Sequence, residues 1–387
     1  MMAEKRNEKP LRTVLVGCGR MGRRQAQIIA GIDDYELVAV ADTFGDAAKA
    51  AGEELGVAWY DDYREMYQRE RPEVVAVCTS NDAHAAPTIA AAEAGVRAVY
   101  CEKPMAVDMG EARRMVEVCE SNGVELVINH QRRLGPDLTE MRRVIESGAL
   151  GDITLMRASN AGDILSDGTH AVDSLLWLAG DVGVQWVVGE VHRWVDDHMR
   201  EQAQAQAQRS GRPVEAGFRY GHPVENGGIG VFMLEGDIRC ELYCGDMRDG
   251  YRAYQDYEIV GTKGRLWRTG DRAPNVYVQD GERGTHQPGV DDKWAFRPIA
   301  NDAGGAWKEL ELPERRYENG IEDGYRRLVA RLRSGDEHPM NGRNALRGFE
   351  IVMAIYESAR THRRIEPPLQ QERFPLQLMV DELMVAD

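Results

Sequence analysis

The chain has 387 residues, 43% of them hydrophobic and 29% charged, with a net charge of −16. Such length favours two domains over one core, and the acidic balance argues against nucleic acid or an anionic membrane as the main partner. No apolar run reaches the roughly 20 residues needed to cross a bilayer, and the charged Met1–Arg12 stretch lacks the apolar segment of an export signal.

From residue 12 to 129 the pattern alternates strand and helix. Arg12–Val16, Glu36–Ala41, Val74–Cys78, Ala98–Cys101 and Leu126–Asn129 are short apolar runs of the kind buried in parallel sheets. Between them, Ala47–Leu55 reads as a helix with Asp46 as its cap, ending before Gly56. His84–Ala94 and Glu111–Asn122 end at Gly95 and Gly123, suitable C′ glycines. This succession predicts a doubly wound parallel sheet of the dinucleotide-binding type over residues 1–130.

Residues 131–387 predict an α+β domain. Pro136–Ser147 and Thr169–Ala179 read as helices and Ile153–Ala158 as a strand. Trp186–Val191, Ile229–Leu234, Ile238–Tyr243 and Tyr257–Val260 follow as strands, with Glu235-Gly236-Asp237 as a hairpin turn. Strands in succession without helices between them predict a mostly antiparallel sheet. Helices near Ile321–Arg333 and Ala345–Arg360 complete the fold before Pro367-Pro368. The polar segment 192–225, with its alternating Gln-Ala run, reads as an insertion apart from any site. Six scattered cysteines form no C-x-x-C pair, so reduced thiols, a cytoplasmic location and no metal are expected.

The chemistry concentrates in a few places. Gly17-Cys18-Gly19-Arg20-Met21-Gly22 joins the first strand to a helix, where backbone N–H groups can hold a pyrophosphate. Asp42, twenty residues beyond Gly22, ends the second apolar run. A carboxylate there can bond both ribose hydroxyls and repel a 2′-phosphate, so NAD is expected over NADP. Glu102-Lys103-Pro104 delivers a lysine to the same sheet edge, where a cation can stabilise a developing alkoxide. His170 enters a helix with Asp167 and Asp173 three positions either side. A carboxylate-supported imidazole is a suitable general base. Asn129-His130-Gln131-Arg132-Arg133 lies where a substrate would bridge the domains. Its arginines either pair with acids at the boundary or line the pocket, and in the latter case favour an acidic or phosphorylated sugar.

Taken together, Gly17–Gly22, Asp42, Thr79-Ser80-Asn81-Asp82-Ala83-His84, Glu102-Lys103-Pro104 and His170-x-x-Asp173 resemble the Gfo/Idh/MocA oxidoreductases. The resemblance spans residues 12 to about 365. It implies a nucleotide domain followed by a domain with a large open sheet, often used for homo-oligomerisation. It also implies cofactor contacts at Gly17, Gly19, Arg20, Met21, Gly22, Asp42, Thr79, Ser80, Asn81, His84, Glu102 and Lys103. Lys103 and His170 would act on a sugar or cyclitol hydroxyl. Two positions depart from the family pattern: Ser80 stands where proline is frequent, and Ser166 where a catalytic aspartate commonly precedes the histidine by four. Asp167 or Asp163 then supplies the acid, with Asp167 the first choice. The catalytic set is therefore Lys103, His170 and Asp167, and the substrate-side set adds His130, Arg132, Arg133 and Asp163.

The expected activity is NAD-dependent oxidation of a secondary alcohol of a sugar, cyclitol or related polyol. A redox-neutral lyase or glycosidase with tightly held NAD, and a non-catalytic NAD or sugar sensor, are the alternatives.

Overall fold

The computed structural model describes residues 9–210, 214–250, 252, 254–271, 274–280, 306–313 and 317–385, so most of the Met1–Arg12 stretch lies outside the described residues. The first sheet is parallel, built from β1 (Leu11–Val16), β2 (Tyr35–Ala41), β3 (Ala58–Tyr60), β4 (Val74–Val77), β5 (Ala98–Cys101) and β6 (Glu125–Ile128). Its order is β3-β2-β1-β4-β5-β6. The crossovers run through α1 (Arg20–Ala30), α2 (Gly45–Leu55), α3 (Tyr63–Glu70), α4 (Ala85–Glu93) and α5 (Met109–Ser121). Every residue of β4 and β5 is buried, which accounts for their unbroken apolar sequence. The chain reverses its winding between β1 and β4, opening a crevice at their carboxyl ends.

The second lobe begins with α6 (Pro136–Glu146), β7 (Ile153–Asn160), α7 (Thr169–Leu178), β8 (Val184–His192) and α8 (Asp197–Ser210). A two-stranded hairpin, β9 (Phe218–Arg219) and β10 (His222–Pro223), precedes β11 (Gly227–Leu234) and β12 (Ile238–Gly245). Then come β13 (Asp256–Gly261), β14 (Gly264–Arg268), β15 (Val276–Asp280) and β16 (Lys308–Glu309). The chain closes with α9 (Tyr317–Ser334), α10 (Gly342–Thr361) and α11 (Pro375–Val385). Eight of these strands form one sheet, β16-β15-β14-β13-β7-β12-β11-β8, in which β7 and β12 are the parallel pair and the other neighbours are antiparallel. Alternate side chains such as Phe232, Leu242 and Ile259 meet Leu175 of α7 and Ile355 of α10 in one core.

Several local expectations change. α2 starts at Gly45, with Phe44 at the cap position and Asp46 inside the first turn, where its charge suits the helix dipole. α5 starts at Met109 because Asp108 accepts the Glu111 N–H. β3, α3, β9, β10, β14, β15, β16 and α11 were not expected. α9 packs on the first lobe: Ile321, Tyr325 and Leu328 are buried against Leu15, Ile29 and Tyr35. The Tyr325 ring stacks on Tyr100 at 4.1 Å. Among the described residues, no helix is long and apolar enough to cross a membrane.

Candidate active site

The glycine turn is built by steric demand at two positions and left open at the third. Gly17 has φ +96°, and a Cβ there would lie 2.5 Å from the Cys78 main chain. At Gly22 a Cβ would lie 1.7 Å from the Gly17 carbonyl oxygen. At Gly19 a Cβ would meet no protein atom within 4 Å, so packing does not explain that glycine. The α1 N-terminus beside it has no side-chain cap and no acidic residue in its first turn. Open backbone N–H groups and free space together fit a pyrophosphate.

Asp42, at the end of β2, is held by two backbone donors. Its Oδ2 accepts from Cys18 N at 2.8 Å and its Oδ1 from Phe44 N at 2.9 Å. Each oxygen keeps acceptor capacity for a ribose hydroxyl. Gly17, Gly19, Arg20, Met21 and Asp42 line a cavity of about 920 Å³. Thr79, Ser80, Asn81, His84 and Glu102 line it as well. Gly22 packs behind this wall.

The loop after β4 and the end of β5 are cross-braced. The His84 Nδ1–H donates to the Pro104 carbonyl at 2.7 Å. Burial pushes the ring's pKa down to about 4, so it is neutral. Glu102 accepts from Gln25 Nε2 at 2.5 Å and from Asn129 Nδ2 at 2.8 Å. Burial raises its pKa even though Asn129, Lys103 and Gln25 oppose the shift. This network ties three strand ends together and aims Lys103 into the crevice.

Lys103, Asp167 and His170 line the same cavity. The Lys103 Nζ donates to the Ser166 carbonyl at 2.6 Å. His170 is buried, and among the described residues its Nδ1 has no hydrogen-bond partner. Burial, followed by the positive charges of Lys103 and Arg132, holds its pKa well below 6.5. The result is a neutral imidazole able to accept a proton at neutral pH.

The acids flanking His170 are committed elsewhere, contrary to expectation. Asp167 accepts from Arg219 Nη1 at 2.8 Å and from the Tyr254 hydroxyl at 3.1 Å. Asp163 accepts from Ser166 N at 2.6 Å and from Arg219 Nη1 at 3.2 Å. Asp173 takes a bidentate pair from Arg133 at 2.7 and 2.8 Å. None of the three bonds the His170 ring.

The 129–133 segment divides. Arg132 reaches the cavity while bonded at 2.8 and 2.6 Å to Asp271. Arg133 does not line the cavity; it is buried between Asp173 and Asp181, a structural role. His130 is also away from the cavity wall, packed edge-on to His170 with ring centroids 5.5 Å apart.

Residues 11–130 match a family model described as "Oxidoreductase family, NAD-binding Rossmann fold". An inositol 2-dehydrogenase of Rhizobium meliloti is 32% identical over 368 residues, spanning 91% of this chain and 97% of that protein. The chain belongs to the Gfo/Idh/MocA oxidoreductase family. A D-apiose dehydrogenase of Paraburkholderia graminis is 25% identical across 92% of this chain and 90% of its own. The crystal structure of the WlbA dehydrogenase of Bordetella pertussis, in complex with NADH and UDP-GlcNAcA, shares the fold. It aligns with TM-score 0.69 at 23% identity, covering 93% of this chain and all of that one (100%).

This Gfo/Idh/MocA chain also carries site residues that sequence reasoning missed. Arg219 and Tyr220 line the cavity from within the 192–225 segment, which is therefore part of the site and not a bystander. Tyr220 (φ 52°) and Gly221 (φ 87°) form the two-residue turn between β9 and β10. An X-Gly pair between short runs was the available signal, overshadowed by the Gln-Ala stretch before it. Tyr254, Asp61 and Tyr63 line the cavity too, and only tertiary structure reveals them. Among the described residues no His, Cys, Asp and Glu cluster suits a metal.

Proposed function

We propose that the protein is an NAD-dependent dehydrogenase oxidising a secondary alcohol of a sugar, cyclitol or related polyol. One observation carries this reading: a single cavity joins the open glycine turn and Asp42 to Lys103 and His170. The bound nicotinamide would supply the hydride acceptor. The Lys103 ammonium donates to the carbinol oxygen, and neutral His170 takes the hydroxyl proton, leaving a ketone. Asp167, held by Arg219 and Tyr254, then serves substrate hydroxyls better than it serves the imidazole.

Charge pairing favours an uncharged substrate over an acidic or phosphorylated sugar. Arg132 is neutralised by Asp271, and Arg219 by Asp163 and Asp167. An inositol or apiose substrate, as the relatives' names state, is uncharged as well. The Asp42 carboxylate supports NAD over NADP through its repulsion of a 2′-phosphate.

Six buried free thiols suit a reducing cytoplasm. Assembly as a homo-oligomer through the second sheet belongs to the same proposal, and Trp267 on β14 is a large apolar side chain exposed on that sheet. The decisive experiment is a co-crystal structure with NAD and a panel of neutral polyols. The carbinol oxygen should lie within hydrogen-bond distance of Lys103 Nζ and the His170 ring. A polyol bound with its hydroxyls away from both would remove the reading.

A further inference from the structure

The β9–β10 hairpin carries a buried histidine that the chemistry above does not use. His222 is 2% exposed. Its Nδ1 lies 2.9 Å from the Pro223 carbonyl oxygen, which can only accept, so Nδ1 carries the proton. Its Nε2 is then an acceptor, facing Asn81 Nδ2 at 3.0 Å and Ser166 Oγ at 3.3 Å. The Asn81 amide also donates to Ser166 Oγ at 3.3 Å. Asn81 belongs to the loop after β4, and Ser166 to the turn before α7, so one imidazole pins the two walls of the cavity together. Gly221 packs directly on the Asp82 carboxylate of that same loop, and the Phe374 ring packs edge-on to the His222 ring with centroids 5.9 Å apart. Ser166 is the residue whose carbonyl holds Lys103 Nζ.

We propose that His222 is a positioning residue for Lys103: its neutral ring fixes Ser166, and the Ser166 carbonyl fixes the ammonium. This rests on the reading of Lys103 as the group that meets the carbinol oxygen. Burial pushes the His222 pKa down, consistent with a permanent acceptor at Nε2. An ammonium misplaced by about 1 Å costs up to about a hundredfold in rate. Loss of the acceptor should therefore appear in kcat and not in cofactor affinity.

The test compares His222→Leu, His222→Gln and Ser166→Ala with the unaltered enzyme, by crystallography and by kinetics. The Gln amide oxygen can accept the same bonds; Leu cannot. Crystals of His222→Leu should show Lys103 Nζ displaced from the Ser166 carbonyl, and those of His222→Gln should show it retained. This comparison reads the inference whether or not a given polyol is turned over, so it is separable from the dehydrogenase assignment. In kinetics, His222→Leu and Ser166→Ala should lose about tenfold or more in kcat with NADH affinity kept, and His222→Gln should recover most of it. Lys103 remaining on Ser166 in the Leu variant would overturn the proposal. Equal losses in Leu and Gln variants, or no loss of kcat in either, would overturn it as well.

Discussion

The ammonium of Lys103, at the end of β5, donates a 2.6 Å hydrogen bond to the carbonyl of Ser166, 63 positions later, in the turn that leads into α7. The bond spans the crevice between the lobes and brings a cation and the neutral His170 to the lining of one cavity.

Lys103→Met should lower kcat by about a hundredfold or more, the range for losing one electrostatic partner of a transition state. NADH affinity, measured by nicotinamide fluorescence, should stay within a few-fold because the glycine turn and Asp42 are untouched. Near-native turnover in the variant would take Lys103 out of the chemistry.

The Gly17–Gly22 turn, Asp42 and Lys103 were legible in the sequence because each sits at the end of an apolar strand, and strand ends are marked by composition. What escaped was decided by tertiary contact. β3 has three residues and Trp59 on it is exposed, so no period identifies it. Arg132 and Arg133 are chemically identical neighbours, and only packing sends one to the cavity and the other to Asp173 and Asp181. Spacing placed Asp167 near His170 on an ideal helix. The backbone instead makes one wide turn over Ile164–Gly168, with a Gly168 N–H to Asp163 carbonyl bond of 2.9 Å, and the carboxylate meets Arg219.

That redirected carboxylate sets the expected pH behaviour. His170 must be neutral to accept a proton, so kcat/KM falls as pH drops through its pKa. Because burial and nearby cations lower that pKa, the acidic limb should lie below pH 6.5. Asp167→Asn should leave the limb in place and raise KM, through the lost charge beside Arg219 and Tyr254. A limb that shifts downward in this variant would restore Asp167 as the partner of the imidazole.

Gly19 and Gly22 should separate ligand binding from folding. Gly19→Ala puts a methyl into open space, so Tm should hold while NAD affinity drops by about tenfold, roughly 1.4 kcal/mol. Gly22→Ala drives a methyl into the Gly17 carbonyl and should cost about 1–3 kcal/mol of stability. Calorimetric titration and thermal melts read the two effects. Unchanged NAD affinity in Gly19→Ala would mean that the pyrophosphate lies elsewhere.

Arg133→Ala should unfold the protein more readily by about 3–5 kcal/mol, because it strands Asp173 and Asp181 without their shared cation. Urea denaturation gives the number. A stable variant with a raised KM would instead place Arg133 against the substrate.

The most direct measurement of the central claim is the absorbance of reduced nicotinamide during incubation of the purified enzyme with NAD and a panel of neutral sugars and cyclitols. NADH should accumulate in step with a ketone product for at least one polyol, and Lys103→Met should slow that accumulation by about a hundredfold or more. Product formed without net NADH would contradict the dehydrogenase and indicate redox-neutral elimination, and NAD binding with no product from any polyol would indicate a sensor.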